Sequence, residues 1–118
     1  MRYMLLLYAN ERVGTQIAPE DMHRFMDQMF AYRAALIKAQ AFIETNPLMP
    51  TDTACTLRVE DGQMQVLDGP YADTREQLGG YLIIEAADID EARTWAARCP
   101  AATWGSVEVR QIRDLAGL

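Results

Sequence analysis

The chain has 118 residues, the length of one domain, and half of them are apolar, so it can bury a core of its own. It carries 11 Lys and Arg against 17 Asp and Glu, a net charge of −6. Because nucleic acids and anionic membranes are bound by basic surfaces, this charge argues against both as partners. No stretch approaches a transmembrane span, and the first residues lack the features of a signal peptide. We therefore expect one cytoplasmic domain over residues 1–118.

The cysteines and the histidine do not indicate a metal site or a cofactor. Cys55 and Cys99 lack metal-type spacing, and a single pair cannot define a disulfide framework. Both lie in apolar stretches, so we expect buried thiols in a reducing compartment. His23 is the only histidine, and no glycine-rich phosphate loop is present. We expect neither a metal nor a cofactor.

The first third of the chain predicts a strand and a helix. Residues Tyr3 to Tyr8 are apolar on both alternating faces, which is typical of a central strand covered on two sides. A polar loop over residues 10–18 follows, and Pro19 suits the first turn of a helix that runs to about Ala39. Apolar residues at helical spacing should form its core-facing side: Met22, Phe25, Met26, Met29, Phe30, Leu36 and Ile37.

The middle of the chain predicts short strands. Residues 41–45 form a candidate strand before Asn46-Pro47. Residues 53–59 alternate between apolar and polar side chains, and residues 64–67 supply a partner strand. The Asp61-Gly62 pair between them favours a tight type I′ turn. We therefore expect a β-hairpin inserted at this point.

The last third predicts a turn, a strand, a helix and a strand. Asp68-Gly69-Pro70 is a turn signal, and a polar loop then leads to an apolar strand over residues 80–86. Asp88 and Glu91 have capping-box spacing for a helix over residues 89–98. A final strand over residues 106–112 has two residues directed inward and two outward. The inward pair is Val107 and Val109, and the outward pair is Glu108 and Arg110.

Without the hairpin, this order is βαββαβ, the α+β, ferredoxin-like arrangement. That arrangement lays both helices on one face of an antiparallel sheet. The other face then needs cover, and a second copy of the chain can supply it. We therefore expect a homodimer formed through the sheet faces.

The stretch DGPYADTREQLGGYLIIEAADIDEARTWAARCPAATWGSVEVRQI, over residues 68–112, resembles the DGPF-type branch of the YCII-related proteins. Tyr71 stands where that branch usually has Phe. The start of the chain and the helix after Pro19 also fit, so the likeness covers nearly the whole chain. It implies a ferredoxin-like fold in a dimeric α/β-barrel-type assembly, and no established reaction. It also implies a regulatory association, since such proteins commonly occur beside genes for extracytoplasmic-function sigma factors.

The more distant YciI branch of the family implies a histidine–aspartate pair as an active site. His23 occupies the matching position near the start of the first helix. The matching position for the aspartate, just before Pro100, holds Cys99 instead. This departure weighs against transfer of that chemistry to this chain.

Two polar residues of the first helix each allow a structural and a functional interpretation. His23 lies at the edge of the apolar side, as a boundary residue or as a general acid or base at a cavity mouth. Arg33 falls near the middle of the same side. Because a guanidinium group does not lose its proton, an inward Arg33 needs an ion-pair partner, a route to the surface, or an anionic ligand.

Three more residues complete the predicted site. Asp68 either holds its turn or pairs with His23 or Arg33. Tyr8 ends the first strand and offers a hydroxyl to the same cavity. Glu76 either fixes its loop or lines that cavity. We expect His23 and Asp68 as candidate catalytic residues, with Tyr8, Arg33 and Glu76 as candidate ligand-binding residues.

Three functions compete on this basis. The first is a small-molecule-binding homodimer, regulatory in role, with a pocket between sheet and helices. The second is an enzyme that uses His23 for acid–base chemistry on a small substrate. The third is a protein-interaction module associated with a sigma factor. The first two predict converging polar groups in a cavity, and the third predicts an exposed apolar or acidic patch.

Overall fold

In a computed structural model that describes residues 1–117, the chain folds into a sheet covered on one face by helices, with a separate hairpin. Short 3₁₀ segments occur at Thr51–Thr53 and Pro100–Thr103. The helices and strands of the described residues are β1 (Arg2–Ala9), α1 (Glu11–Gly14), α2 (Pro19–Lys38), β2 (Phe42–Pro47), β3 (Cys55–Glu60), β4 (Gln63–Asp68), β5 (Gln77–Glu85), α3 (Ile89–Arg98) and β6 (Ser106–Gln111).

The main sheet has the strand order β2-β5-β1-β6, and every neighbouring pair is antiparallel. β1 lies in the middle, as predicted. Leaving out the hairpin and the single turn of α1, the order of elements is the predicted βαββαβ. The α+β class is therefore confirmed, and the arrangement is compatible with a ferredoxin-like domain. The turn of α1, capped by the Asn10 side chain, lies within the segment predicted to be a loop.

The core lies between the sheet and the two longer helices. Side chains of β1 and β5 point toward the helices at alternate positions. They meet residues of α2 and α3 in one cluster, so both helices cover the same face, as predicted. The buried members are Tyr3, Leu5, Tyr32, Leu36, Ala41, Leu82, Ile84, Ala86, Ala92, Trp95, Ala96 and Cys99.

The ends of α3 follow the predicted signals. The Asp88 carboxylate accepts a hydrogen bond of 2.8 Å from the Glu91 amide, and the Glu91 carboxylate accepts one of 3.1 Å from the Ala87 amide. Pro100 follows the last turn and opens a 3₁₀ segment. None of the helices within residues 1–117 combines the length and the apolar composition needed to cross a membrane.

The orientation of α2 differs from the prediction. Tyr32 and Leu36 face the core, at 6% and 0% exposure. At 100° per residue, the mean direction of the exposed apolar residues lies about 100° away from that of Tyr32 and Leu36. The apolar residues of α2 span a wider arc around the helix than the part that packs against the sheet. Four residues predicted to be core are therefore exposed: Met22, Met26, Phe30 and Ile37.

The β3–β4 hairpin extends from the body of the protein. Asp61 and Gly62 both have positive φ, 52° and 75°, which confirms the predicted type I′ turn. The molecule measures 49 × 47 × 18 Å, and its radius of gyration is 16.5 Å. A compact chain of this length has a radius of about 13 to 14 Å. Cys55, predicted to be buried, is exposed because the hairpin is left uncovered by the part of the chain that the structure describes.

Candidate ligand-binding site on the open face of the sheet

The face of the sheet opposite the helices has an apolar centre and polar ends. The strand register places side chains of the four strands in rows across this face. The central residues are apolar or aromatic and half-buried, and the outer ones are polar and exposed. One row is Asn46, Tyr81, Leu6 and Glu108, and the next is Glu44, Ile83, Met4 and Arg110. We call this surface the open face.

Polar groups gather where β1 and β6 meet at one end of the open face. The Tyr8 hydroxyl donates to Glu108 Oε1 at 3.3 Å, and Arg110 Nε lies 3.7 Å from Glu108 Oε2. Ser106 is the register partner of Tyr8, and its hydroxyl donates to Glu76 Oε1 at 2.7 Å. The site thus combines the Tyr8 phenol, the Ser106 hydroxyl, the Arg110 guanidinium, and two carboxylates, those of Glu76 and Glu108.

The electrostatics of this group keep the Tyr8 hydroxyl protonated, as a hydrogen-bond donor. Burial raises the pKa of Tyr8 above its ordinary value of 10.0, and the nearby Glu108 carboxylate raises it further. Arg110 opposes this shift without cancelling it. The hydroxyl therefore keeps its proton at neutral pH. Because carboxylates only accept hydrogen bonds, Glu108 and Glu76 supply the acceptors.

A second tyrosine–glutamate pair lies across the same face. The Tyr81 hydroxyl donates to Glu44, and Asn46 Nδ2 donates to the Tyr81 oxygen at 3.0 Å. Each outer strand of the sheet thus supplies a carboxylate to a tyrosine of an inner strand. The two pairs lie on opposite sides of the apolar centre.

Close backbone contact fixes the Tyr8 end of the site. The register of β1 with β5 shifts between Leu7 and Tyr8. Gly105, just before β6, lies directly against the Tyr8 backbone, where no side chain fits. This contact sets the position of Ser106 beside Tyr8.

The Glu76 loop is held by hydrogen bonds to other segments. Gln77 Oε1 accepts from the Glu11 amide at 2.9 Å, and Gln77 Nε2 donates to the Thr74 carbonyl at 2.6 Å. The Glu11 carboxylate in turn accepts from the amide and the hydroxyl of Thr51, at 2.9 and 2.7 Å. A polar cavity of about 370 Å³ lies between these segments. Glu76 therefore reaches Ser106 from a loop tied to α1.

Tyr8 and Glu76 are the predicted site residues that the structure brings to one place, although they share no direct hydrogen bond. Their link passes through Ser106 and through the β1–β6 pairing. From the sequence, Glu108 and Arg110 are predicted only to face outward, and Ser106 carries no local signal of a role in a site. The strand alternation contains the signal, because the β6 residues beside Tyr8 on the open face are Ser106 and Glu108.

His23, Arg33 and Asp68 form no common site within one chain. His23 lies on the exposed side of α2. Arg33 is exposed, and its guanidinium carbon lies 4.8 Å from the centre of the Phe42 ring, a cation–π contact. Within residues 1–117, no ion pair links Asp68 to either of them. Arg33 is not buried because it lies outside the side of α2 that packs on the sheet, which Tyr32 and Leu36 define.

The Asp68-Gly69-Pro70 turn closes the base of the hairpin. Gly69 has a φ of 115°, which favours glycine. Its amide donates to the Ala54 carbonyl at 2.8 Å, and its carbonyl accepts from the Thr56 hydroxyl at 2.9 Å. The turn joins β4 to the loop that carries Glu76.

Cys99, at the position of the YciI-type aspartate, is a core residue. It is 1% exposed, and burial raises the pKa of its thiol despite hydrogen bonds from the backbone of Ala101 and Ala102. A protonated, buried thiol does not replace a carboxylate as partner of His23. Among the described residues, no group of three His, Cys, Asp or Glu is placed to hold a metal ion.

The space between sheet and helices, where a pocket was predicted, is filled. Tyr3, Leu5, Leu36, Leu82 and Ile84 are at most 2% exposed within it. The polar groups of the candidate site lie on the opposite, open face.

The fold and this site define an α+β domain with an uncovered sheet face. Residues 1–116 match the model of the YCII-related domain. The chain belongs to that family. An uncharacterized protein of Rhizobium meliloti (strain 1021) is similar to it, with 36% identity over 114 residues, which cover 95% of this chain and 92% of the relative.

A solved structure is similar over most of the chain. It is 5-chloro-2-hydroxyhydroquinone dehydrochlorinase from Burkholderia phenoliruptrix AC1100, in complex with 2,5-dihydroxybenzoquinone. The identity is 18% and the TM-score 0.48, with 96% of this chain and 94% of that chain covered. The dehydrochlorinase activity is that of the Burkholderia protein.

Proposed function

We propose that the protein is a homodimer that binds a small molecule between the open faces of its two sheets. The observation that carries this proposal is the apolar centre of a face that no helix covers. Met4, Leu6, Tyr81 and Ile83 are only half-buried there. Domains of this size bury the apolar face of a sheet against a second layer. A second copy supplies that layer with a self-complementary surface.

The Tyr8 end of the open face is the proposed ligand site. Glu76 and Glu108 accept hydrogen bonds there, and Tyr8 donates. Leu6 lies beside Glu108 in the sheet and offers an apolar wall. This combination suits a small molecule that carries several hydroxyl or amine groups on an apolar body. Arg110 partly balances the two carboxylates, so the molecule need not be a cation.

Binding is favoured over catalysis because His23 lacks support. A histidine that acts as a base is normally oriented by a second group. The His23 side chain is exposed, and it takes part in no ion pair within residues 1–117. The regulatory association with a sigma factor forms part of this proposal, and co-purification with such a factor at varied salt concentration tests it.

Two pairs of variants test dimerisation and binding separately. Leu6→Lys places a charge in the apolar centre, and Leu115→Lys, at a 64% exposed position, is its control. Sedimentation equilibrium should show a monomer only for Leu6→Lys. A wild-type chain that is monomeric at all concentrations would refute the dimer.

For binding, a thermal-shift screen of hydroxylated and aminated metabolites is run on the wild type. A hit should lose affinity in Tyr8→Phe and keep it in Tyr71→Phe, which removes a hydroxyl from an 81% exposed ring. Equal affinity of both variants would place the ligand elsewhere. A hit that is converted by the wild type and not by His23→Ala would establish the enzyme hypothesis instead.

A further inference from the structure

The β3–β4 hairpin has one apolar face that is left uncovered by residues 1–117. The register pairs Leu57 with Val66 and Val59 with Met64, so these four side chains share a face. They are 55% to 68% exposed. The opposite face carries mostly polar residues: Thr56, Arg58, Glu60, Gln63, Gln65 and Leu67. We call the apolar side, with Cys55 and Asp68 at its base, the hairpin face.

A second uncovered apolar surface runs along α2. Met22, Met26, Phe30 and Ile37 are 37% to 61% exposed and lie within about 80° of one another around the helix. We call these four residues the α2 stripe. The shortest dimension of the molecule is 18 Å, about the depth of one sheet and one helix layer. The hairpin therefore lies beside these layers and does not cover the stripe of its own chain.

The two surfaces match in length. Six residues of an antiparallel strand span about 20 Å. The fifteen residue steps from Met22 to Ile37 span about 22 Å of helix. The hairpin face can thus cover the whole stripe when the two axes run side by side.

The two surfaces also match in charge. Asp68 is the one charged residue on the hairpin face, at its base. Arg33 is the one charged residue within the arc of the α2 stripe, one turn from Ile37. Placing the base of the hairpin over the Ile37 end and its tip over the Met22 end brings the two charges together.

We propose that each hairpin of the homodimer packs its apolar face on the α2 stripe of the other copy, with Asp68 against the partner subunit's Arg33. This inference rests on the proposed homodimer and adds a second contact to it. Because both surfaces belong to one chain, a two-fold axis forms the contact twice.

Neighbouring residues of β4 supply the first test. Val66→Lys charges the hairpin face, and Gln65→Lys charges the opposite face of the same strand. Sedimentation equilibrium should show the dimer dissociation constant raised about tenfold or more by Val66→Lys and within about twofold of wild type for Gln65→Lys. If Val66→Lys does not fold, Val59→Lys with Glu60→Lys as its control makes the same comparison.

Exchange of the charges supplies the second test. Asp68→Arg and Arg33→Asp should each raise the dissociation constant severalfold, and the double variant should restore it toward wild type. A stable dimer with equal effects of Val66→Lys and Gln65→Lys, or without rescue in the double variant, would overturn the hairpin contact alone. A wild-type protein that forms no dimer would overturn both the hairpin contact and the proposed homodimer.

Discussion

Replacing Gly105 by alanine tests how tightly the last strand is held against β1. A Cβ at this position would lie 1.9 Å from the Tyr8 carbonyl oxygen and 3.0 Å from the Ala9 Cα. Both neighbours are backbone atoms, so no side-chain rotation relieves the clash. The turn before β6 has to move away from β1, and Ser106 moves with it.

The size of the effect follows from this geometry. Overpacking with one added carbon commonly costs about 1 to 3 kcal/mol, and a backbone neighbour places Gly105→Ala at or beyond the upper end. For a domain of this length, each kcal/mol lowers Tm by roughly 3 to 6 °C. We therefore expect Tm to fall by about 10 to 15 °C.

The assay is thermal and urea unfolding followed by circular dichroism. Gly14→Ala is the matched control, because a Cβ there meets no atom within 4 Å. It should be neutral or slightly stabilising, since alanine restricts the unfolded chain. Wild-type stability of Gly105→Ala would refute the close approach of β6 to β1, and with it the pairing of Ser106 and Tyr8.

Three further predictions concern the core, pH and a helix end. Leu36→Ala, at a fully buried position, should lower the free energy of unfolding in urea by about 2 to 5 kcal/mol. Ile37→Ala, at a 53% exposed position, should lower it by well under about 1 kcal/mol. Equal losses would contradict the observed orientation of α2. Burial raises the pKa of Tyr32 far above 10.0. Because this tyrosine ionises at lower pH in the unfolded chain than in the folded one, its contribution to the free energy of unfolding is complete below pH 10 and is lost as the pH rises further. Urea midpoints between pH 8 and 11 should fall less steeply for Tyr32→Phe than for wild type, and identical slopes would count against this origin. Asp88→Ala should cost about 1 kcal/mol through loss of the α3 cap, against little change for Asp90→Ala in the same turn.

The elements predictable from sequence are those whose signals are local. The α3 cap depends on Asp88 and Glu91, three residues apart, and the hairpin turn on two adjacent residues. The central place of β1 could be predicted because its apolar residues alternate on both faces. Each of these signals fits within one element and does not depend on tertiary packing.

The orientation of α2 could not be predicted, for a physical reason. Its apolar residues span an arc wide enough to pack against two surfaces, and nothing in the sequence indicates which part of the arc packs against the sheet. The centre of the arc falls near Arg33, whereas Tyr32 and Leu36 define the side that packs. Arg33 was therefore predicted to face inward and instead lies over Phe42.

The candidate site was predicted in part because it depends on pairing between distant strands. Local context is enough to indicate Tyr8 and Glu76 as candidates. Glu108 becomes a partner of Tyr8 only once β6 lies beside β1, a contact across about a hundred residues. Asp68 was assigned to a site by its chemistry, and the hairpin carries it away from the open face.

The strand order has a consequence for synthesis of the chain. β1 is made before both of its partners, and Tyr3 pairs with Gln111, about a hundred residues further along the chain. At about 5 to 20 residues per second, a ribosome needs roughly 5 to 20 s to go from one to the other. The nascent chain therefore carries an apolar strand with unpaired edges until β5 and β6 have been made. We expect the domain to close only after release of its last strand, and the growing chain to be a substrate for chaperones until then.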